Sequence, residues 1–99
     1  MKQHAVHIVT RIAVVAPHTL QLQFEDGTAQ TINFEPVLRG RIYGALRDVN
    51  LFNQVRIDPE VRTIVWPNGA DFDPATLHDW PEYAALLAKL AESWELCPA

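Results

Sequence analysis

The sequence predicts an α+β fold: an antiparallel three-strand meander, a short central helix, a second β-hairpin and a C-terminal amphipathic helix. Three observations carry this. Leu20, Leu22 and Phe24 alternate with Gln21, Gln23 and Glu25 at the period of a half-buried strand. Asp26-Gly27 follows, a dipeptide that tolerates positive φ and sets a tight turn. Tyr83, Leu86, Leu87, Leu90 and Trp94 then recur at helical spacing among the strong helix formers Ala84, Ala85, Ala88 and Ala91.

Taken in order, Ala5 to Val15 is dominated by β-branched residues. Val6, Ile8, Ile12 and Val14 share one phase and Val9 and Val15 the other, so a strand bent near Thr10-Arg11 is expected. Ala16-Pro17-His18 interrupts it, because proline donates nothing to a ladder. Beyond Asp26-Gly27, Thr28, Gln30 and Asn33 interleave with Ala29, Ile32 and Phe34 as the returning strand, closing a meander over residues 6–34. Pro36 suits the first turn of a short helix ended by Gly40. Leu46, Val49 and Phe52, three apart, fit one face of another short helix or two helical turns. Val55 and Ile57, the turn Asp58-Pro59-Glu60, and Val61, Thr63 and Val65 set against Ile64 and Trp66 form a hairpin over residues 54–66. Asp79 or Trp80 caps the last helix, Pro81 fits its first turn and Glu82 its positive end. That helix is expected over 81–95, stopping before Pro98.

A chain of 99 residues is expected to be a single domain, 1–99, and 48% hydrophobic residues suffice for a core. A domain this short buries roughly two thirds of its unfolded surface and is stable by on the order of 5–10 kcal/mol. The lone Cys97 makes no internal disulfide, and no apolar run has the length of a signal peptide or a membrane span. A cytoplasmic protein is the expectation. The net charge of −4 is uneven: residues 1–57 carry six Lys/Arg against four Asp/Glu, and residues 58–99 carry two against eight, a −6 half. That half repels nucleic acid and suits a basic protein partner.

Between the second hairpin and the last helix lies Trp66-Pro67-Asn68-Gly69-Ala70-Asp71-Phe72-Asp73-Pro74, a corner dense in turn residues, carboxylates and aromatics. Asp71 and Asp73 would suit a hard cation, but Ala75 and Thr76 stand where a calcium loop needs a ligand and a glycine. Local Asx and capping bonds are the better account, so no metal and no cofactor is expected. His78 beside Asp79 admits a His–carboxylate pair, without a nucleophile nearby in sequence. His4 and His7 lack further ligands at zinc-site spacing. Arg39, Arg41 and Arg47 around Tyr43 are the basic patch a nucleic acid would use, though pairing with Glu35 or Asp48 is the simpler reading. Trp66 is expected in the core, while Trp80 and Trp94 are candidates for a contact surface.

These stretches resemble a small bacterial domain-of-unknown-function family. The resemblance rests on Phe24-Glu25-Asp26-Gly27, Leu46-Arg47-Asp48 with Phe52, and the Trp66–Pro74 corner, and covers residues 8–78. It implies no catalytic residues. Some relatives join the domain to a helix-turn-helix segment, and others neighbour a small basic protein in pairs similar to toxin–antitoxin modules. The resemblance therefore implies a binding or regulatory role. A single acidic helix after the corner is not a two-helix DNA reader, so direct nucleic-acid contact is not expected here.

The expected function is thus a non-enzymatic, antitoxin-like interaction module. It would bind a small basic protein, or a second copy of itself, through Trp66, Asn68, Asp71, Asp73, Trp80 and Trp94. The alternative is a small ligand-binding or enzymatic domain built on Asp71, Asp73 and His78.

Overall fold

The computed structural model describes residues 7–96, with side chains through Trp94. His4, Ala5 and Val6 at one end, and Cys97 and Pro98 at the other, lie outside the described residues. β1 (Val9–Ala16), β2 (Thr19–Phe24) and β3 (Ala29–Asn33) form the antiparallel meander, in the order β1-β2-β3. Leu20 pairs with Ile32 and Leu22 with Ile12, which puts the apolar set of β2 on the buried face and Gln21 and Gln23 outside. The expected bend is a register shift between Val9 and Arg11. β1 gives less to the core than its composition suggested. Val9 is buried and Ile12 half-buried, but Val14 and Val15 are exposed. β1 is an edge strand, and at its start the Val9 N–H reaches the Arg62 carbonyl, 3.2 Å away in the second hairpin.

After Phe34 the chain makes a 3-10 turn over Glu35–Val37, then α1 (Gly40–Tyr43), another 3-10 turn over Gly44–Arg47, and α2 (Val49–Phe52). One expectation is corrected: Gly40 opens α1 rather than only ending the Pro36 turn. Of the two readings of Leu46, Val49 and Phe52, the structure takes two helical turns, divided at Asp48. The Asp48 carboxylate accepts the Asn50 N–H at 2.9 Å and restarts the helix, so Leu46 and Phe52 are buried while Val49 stays outside. The second hairpin is the short pair β4 (Arg56–Ile57) and β5 (Ile64–Val65), with Ile57 opposite Ile64. Its loop is held by Asp58, whose carboxylate accepts the Glu60 N–H at 2.7 Å and whose carbonyl accepts the Arg62 N–H at 2.7 Å.

The turn begun by Pro74 is a full short helix, α3 (Pro74–His78), and α4 follows over Trp80–Leu96. The core centres on Phe34. Its ring lies 6.0 Å from Phe52, 6.1 Å from Trp66, 5.1 Å from Phe72 and 5.4 Å from Trp80. Pairs of this kind contribute about 0.5–1.5 kcal/mol each beyond the area they bury. The inner face of α4 is Trp80, Ala84, Leu87, Ala91 and Trp94. This corrects the expected stripe: Tyr83, Leu86 and Leu90 lie about 90° around the helix axis and are 41%, 56% and 44% exposed. The seating of Trp80 against Phe34 and of Trp94 against Tyr43 sets that rotation. Gly40, at φ +83°, abuts the last turns of α4 so tightly that a Cβ there would stand 3.1 Å from the Cβ of Trp94. The bare Gly40 backbone thus leaves room for the Trp94 backbone and Cβ, with the indole turned onto Tyr43.

Gly40→Ala is therefore expected to destabilise the chain by about 2 kcal/mol, from positive φ and overpacking together. Gly69 also has positive φ, +90°, but no atom lies within 4 Å of its would-be Cβ. Gly69→Ala should then cost only about 1 kcal/mol. Urea unfolding of both variants measures the difference, and equal losses would remove the close approach from the account.

Candidate functional site

The corner after β5 is a set of local and distant hydrogen bonds. The Trp66 N–H donates to the Ala70 carbonyl at 2.9 Å and the Gly69 N–H to the Trp66 carbonyl at 3.0 Å. Asn68 accepts the Ala70 N–H at 3.1 Å through Oδ1 and donates through Nδ2 to the Ile42 carbonyl at 3.0 Å. The expected Asx bond is thus made by Asn68 rather than Asp71. Three further donors bolt the corner down: the Trp66 indole to the Phe52 carbonyl at 2.9 Å, the Thr63 hydroxyl to the Phe72 carbonyl at 2.7 Å, and the Tyr43 hydroxyl to the Asp71 carbonyl at 2.7 Å. Trp66 is 2% exposed and Trp80 9%, so both serve the core of the folded chain. Trp94 is half-buried and stacks on Tyr43 at 5.6 Å. Burial, with the Asp71 charge adding to it, pushes the Tyr43 hydroxyl above its ordinary pKa.

Asp71, Asp73 and His78 have separate occupations. The Asp71 side chain is exposed, and Asp73 caps α3 by accepting the Thr76 N–H at 3.2 Å. His78 faces the hairpin tip between β2 and β3 instead. Its Nε2–H donates to the Asp26 carboxylate at 2.7 Å, with the Thr28 hydroxyl 3.1 Å from the same nitrogen. Its Nδ1–H donates to the Asp79 carboxylate at 2.8 Å. A neutral imidazole has one N–H, so two carboxylate acceptors select the imidazolium. The bond to Asp79 leads the upward shift of the His78 pKa, assisted by Asp26 and opposed by burial. Asp26 is held at about 2, first by the Thr28 N–H and then by His78. His7 stacks on the His78 ring at 3.8 Å, Phe24 meets it edge-on at 5.0 Å, and Gln30 donates to the His78 carbonyl at 2.6 Å. Among the described residues, His7, His78 and Asp79 are the group with metal-ligand spacing.

Sequence reasoning paired His78 with Asp79 but missed Asp26 and His7. Part of the signal was present. An antiparallel meander that pairs Val9 with Phe24 brings His7 near the Asp26-Gly27 tip. The approach of α3 had no counterpart in local sequence.

Arg47 folds its Nε–H back to the Leu38 carbonyl at 2.8 Å, and its own carbonyl accepts the His18 Nε2–H at 2.8 Å. Arg39 is half-buried and Arg41 exposed. By contrast, the flank of α4 is a continuous apolar strip of Tyr83, Leu86 and Leu90, with Glu82 and Lys89 exposed beside it.

A family model described as "Protein of unknown function (DUF2442)" matches residues 9–82, from β1 through the first residues of α4. The chain belongs to this family. The matched span takes in the meander, the second hairpin, the corner, α3 and most of the His78 cluster, while the exposed strip of α4 lies beyond it. No curated protein and no solved structure matches the chain. Among the described residues no helix is long and apolar enough to cross a membrane.

Two predictions follow from this geometry. Thr63 is 4% exposed, so Thr63→Val leaves the Phe72 carbonyl without its partner and should cost about 1–3 kcal/mol in denaturant unfolding. In chelator-treated protein, NMR titration should place His78 above 6.5 and Asp26 near 2, and Asp79→Asn should lower the His78 value. Because the folded state raises His78, its stabilisation is complete below pH 6.5 and is lost as pH rises through the folded value. Because it lowers Asp26, that contribution is present above pH 3.8 and is lost as pH falls through about 2.

Proposed function

We propose that this chain is a non-enzymatic protein-interaction module whose contact face is the outer flank of α4. Its partner is a small basic protein, and the role is regulatory in the antitoxin-like sense: docking covers a working surface of that partner. The observation that carries this reading is the strip of Tyr83, Leu86 and Leu90, each more than 40% exposed on a helix whose adjoining face is committed to the core. Leucines held outside at such positions, together with an aromatic, are what a helix-in-groove contact uses as anchors. The sign of the partner comes from charge, since residues 58–99 carry eight acidic against two basic side chains. Asp71 adds an exposed carboxylate beside the Tyr43–Trp94 stack, close to the C-terminal part of the same helix. Trp94 keeps an edge at this surface, Trp66 and Trp80 support it from within, and the exposed Asn68 ties the corner to the Ile42 carbonyl.

Leu86→Glu should leave the fold intact, with an unfolding midpoint within about 0.5 kcal/mol of the parent, because the side chain is already outside. Capture from host lysate, with the mass and isoelectric point of the bound species determined, should yield a stoichiometric small basic protein for the parent chain and none for Leu86→Glu. A parent chain that elutes as a dimer, dissociated by Leu86→Glu, would assign the face to a second copy and reject the basic partner. An association indifferent to Leu86→Glu would reject the face.

A further inference from the structure

Independently of that reading, we propose that His7, His78 and Asp79 form a binding site for a divalent transition-metal ion of the zinc class. One donor atom from each of the three lies within 4.8 Å of the others, although the residues come from the lead into β1, the end of α3 and the junction between α3 and α4. Two imidazoles and a carboxylate are the donor set that borderline ions such as Zn2+ select over Mg2+ or Ca2+.

The existing hydrogen bonds already have the form of such a site. The Nδ1 atom of His78 and Oδ1 of Asp79 face one another across a proton at 2.8 Å. An ion in place of that proton, at about 2.0–2.2 Å from each, needs the two atoms about 3.3 Å apart in tetrahedral geometry. The gap has only to open by about half an ångström. The displaced Nδ1 proton goes to solvent. The other nitrogen, Nε2, keeps its proton and its 2.7 Å bond to Asp26, the carboxylate–histidine–metal relay that fixes a ligand's tautomer and orientation. Thr28 at 3.1 Å and the Gln30 bond to the His78 carbonyl hold the same residue from two more sides. His7 is the ligand that must move. Its ring is parallel to His78 within 16°, and parallel rings cannot both aim in-plane lone pairs at one ion. A side-chain rotation out of the stack brings it in, with the backbone beside it held by the Glu25 N–H to the Ile8 carbonyl at 2.9 Å. Three protein ligands leave the fourth position to water. The Asp79 side chain is 42% exposed, so the ion can enter from solvent.

The test uses the full chain purified without a histidine tag, stripped with chelator and titrated with Co2+, then competed with Zn2+. The expected result is one ion per chain, with visible ligand-field bands of a four-coordinate site and NMR shifts at both His7 and His78. His78→Gln should abolish binding, and His7→Ala and Asp79→Asn should each weaken it at least about tenfold, the order seen for ligand-shell losses. Asp26→Asn should weaken it about tenfold through His78, while His18→Ala should leave it unchanged. Circular dichroism of each metal-free variant checks that the fold persists, and His7→Ala keeps the test open if His78→Gln does not fold. Absence of stoichiometric binding, or binding that survives both His7→Ala and His78→Gln, would overturn the site.

Discussion

Phe34 is the residue on which the arrangement depends. It ends the meander, and its fully buried ring meets Phe52 at the end of α2, Trp66 and Phe72 in the corner, and Trp80 at the head of α4. Short elements with few residues per strand or turn have little to hold them individually. Gathering their largest side chains around one ring gives them a common site of burial. The polar bonds then fix orientation. The Trp66 indole reaches the Phe52 carbonyl and the Thr63 hydroxyl reaches the Phe72 carbonyl, so the aromatic residues are located by hydrogen bonds that an apolar interior makes costly to break.

That cluster decides what remains for the surface. Because Trp80 is drawn under Phe34 and Trp94 onto Tyr43, α4 is rotated so that Ala84, Leu87 and Ala91 face inward. Tyr83, Leu86 and Leu90 are left on the flank as a consequence of that rotation. At the far end of the meander, the hairpin tip presents Asp26 to His78, which gives α3 a charged anchor where the aromatic cluster does not extend. The core therefore sets two features outward, an apolar strip on one helix and a histidine–carboxylate cluster at the sheet's end. The proposed interaction and the proposed metal site rest on them separately.

The meander, the second hairpin and the existence of α4 were legible in sequence because each is encoded locally. Alternation in Leu20–Phe24, the Asp26-Gly27 turn and the alanine-rich helix need no distant partner to be read. The phase of α4 was not legible. Alanine is small enough to pack on any side, and which side is inner was settled by the seating of Trp80 against Phe34 and of Trp94 against Tyr43 and Gly40, contacts distant in sequence. A rule that turns large apolar residues inward misassigns such a helix. The Leu46–Phe52 spacing admitted one helix or two turns without choosing, because a cap and a helix interior differ by one side-chain bond at Asp48. Among the expected site residues, Asp73 was readable as a cap, whereas His78 was read with Asp79 alone. Its partners Asp26 and His7 are supplied by tertiary packing and by strand register.

The central claim is that the flank of α4 is free in the isolated chain and reserved for a different protein. Solvent paramagnetic relaxation of leucine methyl groups, followed across protein concentration, measures this most directly. The account predicts strong relaxation at Leu86 and Leu90 and weak relaxation at Leu87 and Leu77, unchanged from dilute to concentrated protein. Leu86 and Leu90 becoming shielded as concentration rises, or being shielded from the start, would contradict it.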